Sequence, residues 1–321
     1  MSLIGKLVYN LYYLPRSRKA TIEKYGGISN YNSILVAEEK MKTYASTKLS
    51  INSPFHKNGI FEINYITGKK HIHQTLLSVF SFFKHLNASE ARNFRINFFD
   101  DGSIDHELRS KLERKFPNIN LISYYDGLVK FNKLYNKNHY PYLHKKVKEL
   151  PFFLKLFFIH PGNEGLHVYI DSDTLFLSKP AAFLKWLNEN YLDKETAFAI
   201  KDITQNYGYS DEVIKKVYNG YVPECLNAGF YAIHSETVDF NLIEALIRKL
   251  ETGPGSSYYM EQFITAVLLG QYQKLFVAPQ TEYIVFPSKE QIEHQSGVFH
   301  HYVDVSKEGY FKESWLKQIS E

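Results

Sequence analysis

The sequence predicts an α/β fold, a mostly parallel sheet flanked by helices. Three observations carry that expectation. Short β-branched and aromatic runs alternate with stretches of helical apolar spacing, polar residues gather where the runs end, and an acidic pair directly follows one of them. In open α/β sheets the ligand crevice lies beyond the carboxyl ends of the strands, so those ends are where chemistry is sought.

Residues 1–58 read as an N-terminal helical extension, with a turn-rich stretch from Gly26 to Asn32 and a helical run from Ile34 to Tyr44. Regular architecture starts near Phe61, giving a domain over 59–321. Its first half, 59–177, is expected to bind the nucleotide portion of a ligand, and its second, 178–321, to close the site. Glu62–Ile66 is strand-like and is followed by the turn pair Thr67-Gly68. The run His73 to Leu86 spaces Leu76, Leu77, Phe80 and Phe83 as one helix face. A second strand, Phe94–Phe99, ends at Asp100-Asp101-Gly102. Ile104 to Phe116 reads as a helix and Ile119 to Tyr124 as a third strand. Asp126 to Lys148 lacks clear periodicity and reads as either a long loop or a short helical insertion. Leu150 to Ile159 is expected to be a buried helix, and Leu166–Ile170 a strand ending at Asp171.

Composition narrows the class. The chain has 321 residues, 44% of them apolar, enough for a substantial core. The net charge of +4 is spread thinly, with no concentrated basic face of the kind nucleic-acid binding requires. One cysteine, Cys225, excludes an intrachain disulfide and favours a reducing compartment; it reads as a core or near-core residue. No apolar run approaches the ~20 residues that span a bilayer. Residues 1–19 join an aromatic-rich apolar stretch to the basic cluster Arg16-Ser17-Arg18-Lys19, which suits peripheral contact with the inner face of a membrane from the cytoplasm. The sequon Asn87-Ala88-Ser89 reads as a chance match. His71 and His73 could be a metal pair but more simply flank the turn. Lys145, Lys146 and Lys148 read as a solvated helix face.

The informative segment is Val168-Tyr169-Ile170-Asp171-Ser172-Asp173-Thr174-Leu175-Phe176-Leu177. Two carboxylates one residue apart, directly after a strand, repel each other unless a cation sits between them. A hard divalent ion with oxygen ligands, Mg²⁺ or Mn²⁺ beside phosphate oxygens, is the natural partner. Such an ion stabilises a departing diphosphate, which gains negative charge as it leaves.

Here the chain resembles the GT-A glycosyltransferases, most closely the family 8 group that contains glycogenin and the lipopolysaccharide galactosyl- and glucosyltransferases. Beside the Asp-x-Asp string, Leu226-Asn227-Ala228-Gly229-Phe230 resembles the family's Asn-Ala/Ser-Gly segment, Glu261-Gln262 its Asp-Gln pair, and His301-Tyr302-Val303-Asp304-Val305-Ser306-Lys307 its closing His-aromatic-x-Gly-x-x-Lys motif. The likeness spans roughly Phe61 to Trp315. It implies transfer of a sugar from a nucleotide-sugar, a UDP-sugar first, to a glycan or lipid-linked acceptor, with retention of configuration, in bacterial surface polysaccharide or lipopolysaccharide synthesis. It also implies roles. Asp171, Asp173 and His301 would hold the metal, with Asp171 also contacting the donor. Lys307 would meet the pyrophosphate. Asn227, Ala228 and Gly229 would lie against the sugar, and Gln262 near the anomeric carbon. Lys155, Ser172, Thr67, Gly68 and Asp100 or Asp101 would complete the donor site.

The chain departs from the family pattern at Asp304, where glycine is usual, and at Glu308-Gly309, where Pro-Trp is usual. His300 competes with His301 for the metal, and Glu261 is one methylene longer than aspartate. An inverting enzyme would need a carboxylate base, for which Glu261 or Asp304 is the candidate. A haloacid-dehalogenase-type phosphatase is disfavoured by Leu175 and by the missing later acidic pair. The rivals that stand are a nucleotidyltransferase making nucleotide-sugars and a sugar-nucleotide-binding module without turnover.

Overall fold

A computed structural model describes residues 14–320. The alternation of strand and helix is formed as two sheets. Ten strands occur among the described residues: β1 (Phe61–Thr67), β2 (Phe94–Asp100), β3 (Ile119–Ile122), β4 (Leu166–Ile170), β5 (Thr174–Phe176), β6 (Thr196–Lys201), β7 (Leu226–His234), β8 (Lys274–Val277), β9 (Tyr283–Val285) and β10 (Phe299–His301). The main sheet has the order β3-β2-β1-β4-β7-β6-β8. Its β3-β2-β1-β4 half is parallel, β7 runs antiparallel to both β4 and β6, and β8 is parallel to β6. The small sheet is β5-β10-β9.

Burial on both faces explains why these strands read as near-continuous apolar runs. All nine residues of β7 are buried. Successive side chains feed opposite cores. Val168 and Ile170 point into one with the helices Ile72–Lys84 and Ala181–Asn190, while Tyr169 points into the other with Leu154–Ile159, Phe240–Thr252 and Met260–Leu269.

The extension is helical, but the turn is shorter than its composition suggests. After a helix at Leu14–Lys24, only Tyr25–Gly27 turns, with Gly26 and Gly27 at positive φ, and the next helix runs Ile28–Thr47. Ile34, Met41 and Ala45 of that helix lie in the first core, and Tyr44 packs on Trp315 with ring centroids 5.6 Å apart. The proposed membrane segment lies largely outside the described residues, and no helix among those described is long and apolar enough to cross a membrane.

Two local readings need correction. The third strand stops at Ile122 because Ser123 caps a helix, Tyr124–Leu134, by accepting the Asp126 N–H at 3.0 Å. The aperiodic stretch is therefore helical, with a second helix, Pro141–Glu149, started by proline in its first turn. On that helix Lys146 is fully buried and paired with Glu251, so it is not part of a solvated face. Asn87, in the sequon, caps the helix Ala88–Arg92 in a reciprocal capping box with Glu90.

Candidate active site

Asp171 follows the last residue of β4 and is fixed by its N–H, which donates to the Gly229 carbonyl at 2.8 Å. A turn carries the chain through Ser172 and Asp173 into β5. Antiparallel pairing of β5 with β10 sets His301 opposite Thr174, and the Tyr302 N–H donates to the Asp173 carbonyl at 2.9 Å. A strand more than 120 residues later in the chain thereby delivers its imidazole to the aspartates. His301 Nε2 lies 3.5 Å from Asp171 Oδ2 and 3.3 Å from Asp173 Oδ1, and one ligand atom from each residue falls within 4.8 Å of the others. His300, one residue earlier, points to the opposite side. Its ring nitrogens meet the Tyr302 hydroxyl at 3.0 Å and the Ser296 carbonyl at 2.7 Å, and burial lowers its pKa to about 4.

The β6–β7 pairing slips between Ala199 and Ile200, and the slip spans Ala228–Phe230. This irregularity bends Asn227-Ala228-Gly229 toward the aspartates. The Asn227 amide is oriented without ambiguity: its Nδ2 donates to Asp202 Oδ2 at 2.9 Å, and its Oδ1 accepts the Gly229 N–H at 2.8 Å. The same oxygen sits 3.0 Å from His301 Nδ1, so that nitrogen must carry the proton. Nε2 then faces Asp171 and Asp173, and a cation bound between them would meet its lone pair on the neutral ring. An outer-shell acceptor that fixes the tautomer in this way is what a metal-binding histidine needs. Two carboxylates and one imidazole fit Mn²⁺ or Mg²⁺, the imidazole favouring Mn²⁺.

Lys307, just beyond the 3₁₀ turn Asp304–Ser306, donates to Asp173 Oδ2 at 2.7 Å. Burial would raise the Asp173 carboxyl, but Lys307 and His301 outweigh it and hold it well below the usual range. Conversely, Asp173 raises Lys307 against burial. Burial would lower His301, yet Asp173 and Asp171 raise it. Tyr169 donates its hydroxyl to Asp171 Oδ1.

Behind the aspartates lies a buried ion pair. Lys155 Nζ is 2.8 Å from Glu261 Oε2, donates to the Ala228 carbonyl at 2.8 Å, and lies 4.8 Å from the centre of the Tyr169 ring. Thr265 donates to Glu261 at 2.6 Å. Burial raises the Glu261 pKa even though Lys155 opposes the shift. Gln262 is more open and donates to Asp202 Oδ2 and the Asn206 carbonyl, both at 3.2 Å.

These residues line one cleft of about 580 Å³. Asp171, Asp173, Asn227, Ala228, Gly229, Glu261, Gln262, Lys155, His301 and Lys307 all face it. Thr67, Gly68, Asp100 and Ser172 do not line it. Thr67 is buried against Thr75, their hydroxyls 2.7 Å apart, and Ser172 accepts from Thr75 at 2.9 Å. A β-carbon on Gly68 would stand 2.1 Å from Asp101. Asp100 spends its carboxylate on its own turn, accepting from the N–H groups of Gly102, Ser103 and Ile104. His71 and His73 do not converge; one meets Gln74 and the other Ser46. Cys225 is half-buried, in a left-handed conformation.

Sequence reasoning passed over Asp202, which joins Asn227 to Gln262 from the end of β6. The rule that singled out Asp171, an acid directly after a buried strand, applies equally to Thr196–Lys201 and would have found it. Tyr258, Tyr259, Phe152, Phe286 and Lys24 also line the cleft.

Gly229 shows how tightly the centre is built. A β-carbon there would stand 2.3 Å from His301 Cε1 and 2.8 Å from Asn227 Oδ1. Gly229→Ala should push the imidazole off the aspartates and weaken Mn²⁺ binding by about 10-fold or more, the scale of losing an outer-shell partner. Mn²⁺ titration followed by paramagnetic resonance checks this; unchanged affinity would refute the packing argument.

No protein-family model and no curated protein sequence matches the chain. The bifunctional glycosyltransferase WbbM superposes with a TM-score of 0.50 at 14% identity, over 85% of this chain and 53% of WbbM. Mouse xyloside xylosyltransferase 1 superposes with a TM-score of 0.51 at 12% identity, over 75% of this chain and 97% of the mouse protein. The fold is GT-A. The chain thus spans about half the length of WbbM, and identities this low speak for the architecture alone. Within the GT-A fold the aspartates sit beyond the carboxyl end of β4, where the parallel half of the sheet gives way to the antiparallel half, the kind of place where open sheets bind ligands.

Proposed function

We propose that this chain transfers a sugar from a nucleoside-diphosphate sugar to a hydroxyl acceptor, with a divalent metal held by Asp171, Asp173 and His301. The observation that carries the reading is the convergence of those three residues and Lys307 in one cleft of a GT-A fold. A divalent cation bound there would neutralise charge on the departing diphosphate. Lys307 adds a point charge beside it, and Asn227 keeps the His301 lone pair aimed at the ion.

The carboxylate inventory favours retention. An inverting mechanism needs a free carboxylate to take the acceptor proton. Glu261 is buried and paired with Lys155, Asp304 is paired with Lys24, and Asp202 accepts from two amides. Gln262, partly open to the cleft, is the group assigned to the sugar face. The exposed ring of Tyr258, edge-on to Phe152 with centroids 5.3 Å apart, gives an acceptor sugar a flat apolar surface. A UDP-sugar donor, a glycan or lipid-linked acceptor and a place in bacterial surface-polysaccharide assembly complete the reading, and these rest on the family resemblance.

Calorimetric titration of UDP, GDP and CMP, each with and without Mn²⁺, tests the core of the proposal. One nucleotide should bind, and only with the metal. If the folded protein binds none, the transferase reading gives way to a module without turnover.

A further inference from the structure

The segment Asp304–Lys312, which carries Lys307, is held by residues of the two N-terminal helices and the turn between them. Asp304 has φ 53°, in the left-handed region that favours glycine and that a β-carbon makes costly. Its side chain accounts for an aspartate there. The Asp304 carboxylate pairs with Lys24 at 2.5 Å, and its carbonyl accepts the Tyr25 hydroxyl at 3.1 Å. Further along, Asn30 donates to Glu308 at 3.0 Å and accepts from Lys312 at 2.5 Å, while Lys312 also reaches Glu308 at 2.9 Å. Three residues flanking the Gly26-Gly27 turn therefore grip the segment on both sides of Lys307, whose ammonium faces Asp173. Lys24 itself reaches the cleft wall.

We propose that the segment Lys24–Asn30, the turn with the helix ends on either side of it, is a working part of the donor site: it positions Lys307 for the diphosphate and places Lys24 as a second cation at the mouth of the cleft. The inference rests on the reading that Lys307 meets a diphosphate. Asp304 is then the joint between the N-terminal helices and the phosphate-facing lysine, and Tyr25 and Asn30 are positioning residues. Lys24 and Asp304 are about half exposed, at 52% and 48%, so their pair alone contributes little. The effect comes from several contacts acting on one short segment.

Asp304→Gly keeps the left-handed turn and the carbonyl that Tyr25 holds, and removes only the carboxylate pair with Lys24. It should fold with unchanged thermal stability yet bind UDP or GDP with Mn²⁺ about 2-fold more weakly, the scale of a half-exposed pair. Tyr25→Phe combined with Asn30→Ala should lose about 10-fold, and Lys24→Ala, which removes the second cation together with the tether, should lose about 5-fold. Hydrogen exchange of the 305–312 amides should quicken in all three variants. If the wild type binds a diphosphate with Mn²⁺ and Asp173→Asn does not, while the turn variants bind normally, this inference alone fails. If the wild type binds neither diphosphate, the donor reading fails and the inference falls with it.

Discussion

Asp173→Asn should give a folded protein whose metal-dependent nucleotide affinity is at least about 100-fold weaker, beyond the 10–100-fold typical of losing an outer-shell partner. Both carboxylate oxygens are committed, one toward His301 at 3.3 Å and the other to Lys307 at 2.7 Å. An amide matches the carboxylate in shape but carries no charge. It can donate to a ring nitrogen, but it cannot hold a divalent ion beside an ammonium. Asp171 alone would then face the cation, together with one imidazole. Asp173→Glu probes the same site differently, keeping the charge and moving it outward by one methylene. Binding measured by calorimetry with UDP or GDP and Mn²⁺ should rank wild type above Glu above Asn. Equal affinity for wild type and Asn would mean that the carboxylate pair binds no metal.

Much of this centre was legible because it is local. An apolar run, an acid, one residue and a second acid lie within a single string, and the strand before them follows from composition alone. The α/β architecture was legible for the same reason, since strand and helix alternate openly from Phe61 to Asp171, whereas the GT-A expectation rested on the resemblance of the motifs. What was not legible depends on pairing distant in sequence. Choosing His301 over His300 requires the register of β10 on β5, and a slip of one residue would exchange their faces. Asp100 and Asp171 look alike in sequence, each an acid after a buried strand. One closes on its own turn and the other faces the cleft, a difference set by the backbone that follows each. Lys146 reads as a surface lysine until Glu251, more than 100 residues later, is placed against it. The turn at Tyr25–Gly27 shows the converse: Gly, Ser and Asn suggest a longer loop, but the helix resumes at Ile28 and buries Ile34, Met41 and Ala45 against the core.

Lys155→Met should be the most destabilising single change near the cleft. It leaves Glu261 buried, 5% exposed, with no cation and only the Thr265 hydroxyl as a side-chain donor. Stranding one member of a buried pair costs about 3–5 kcal/mol. The sign of the pH dependence follows from Glu261. Burial already raises its folded pKa above the ordinary glutamate value, and removing Lys155, which opposes that shift, raises it further. A group raised on folding contributes fully below its unfolded pKa, about 4.3, and loses that contribution as pH climbs through the folded value. The cost of Lys155→Met should therefore be smaller near pH 5, where Glu261 can stay protonated, and larger near pH 8. Urea unfolding of wild type and variant at the two pH values measures it, and a cost that does not grow with pH would show that Glu261 finds another partner. The double change Lys155→Met with Glu261→Gln should recover part of the loss, since no charge is then stranded. Recovered stability without recovered nucleotide binding would assign the pair a role in the donor site as well as in the core, because Lys155 also supports the Ala228 carbonyl and the Tyr169 ring directly behind Asp171.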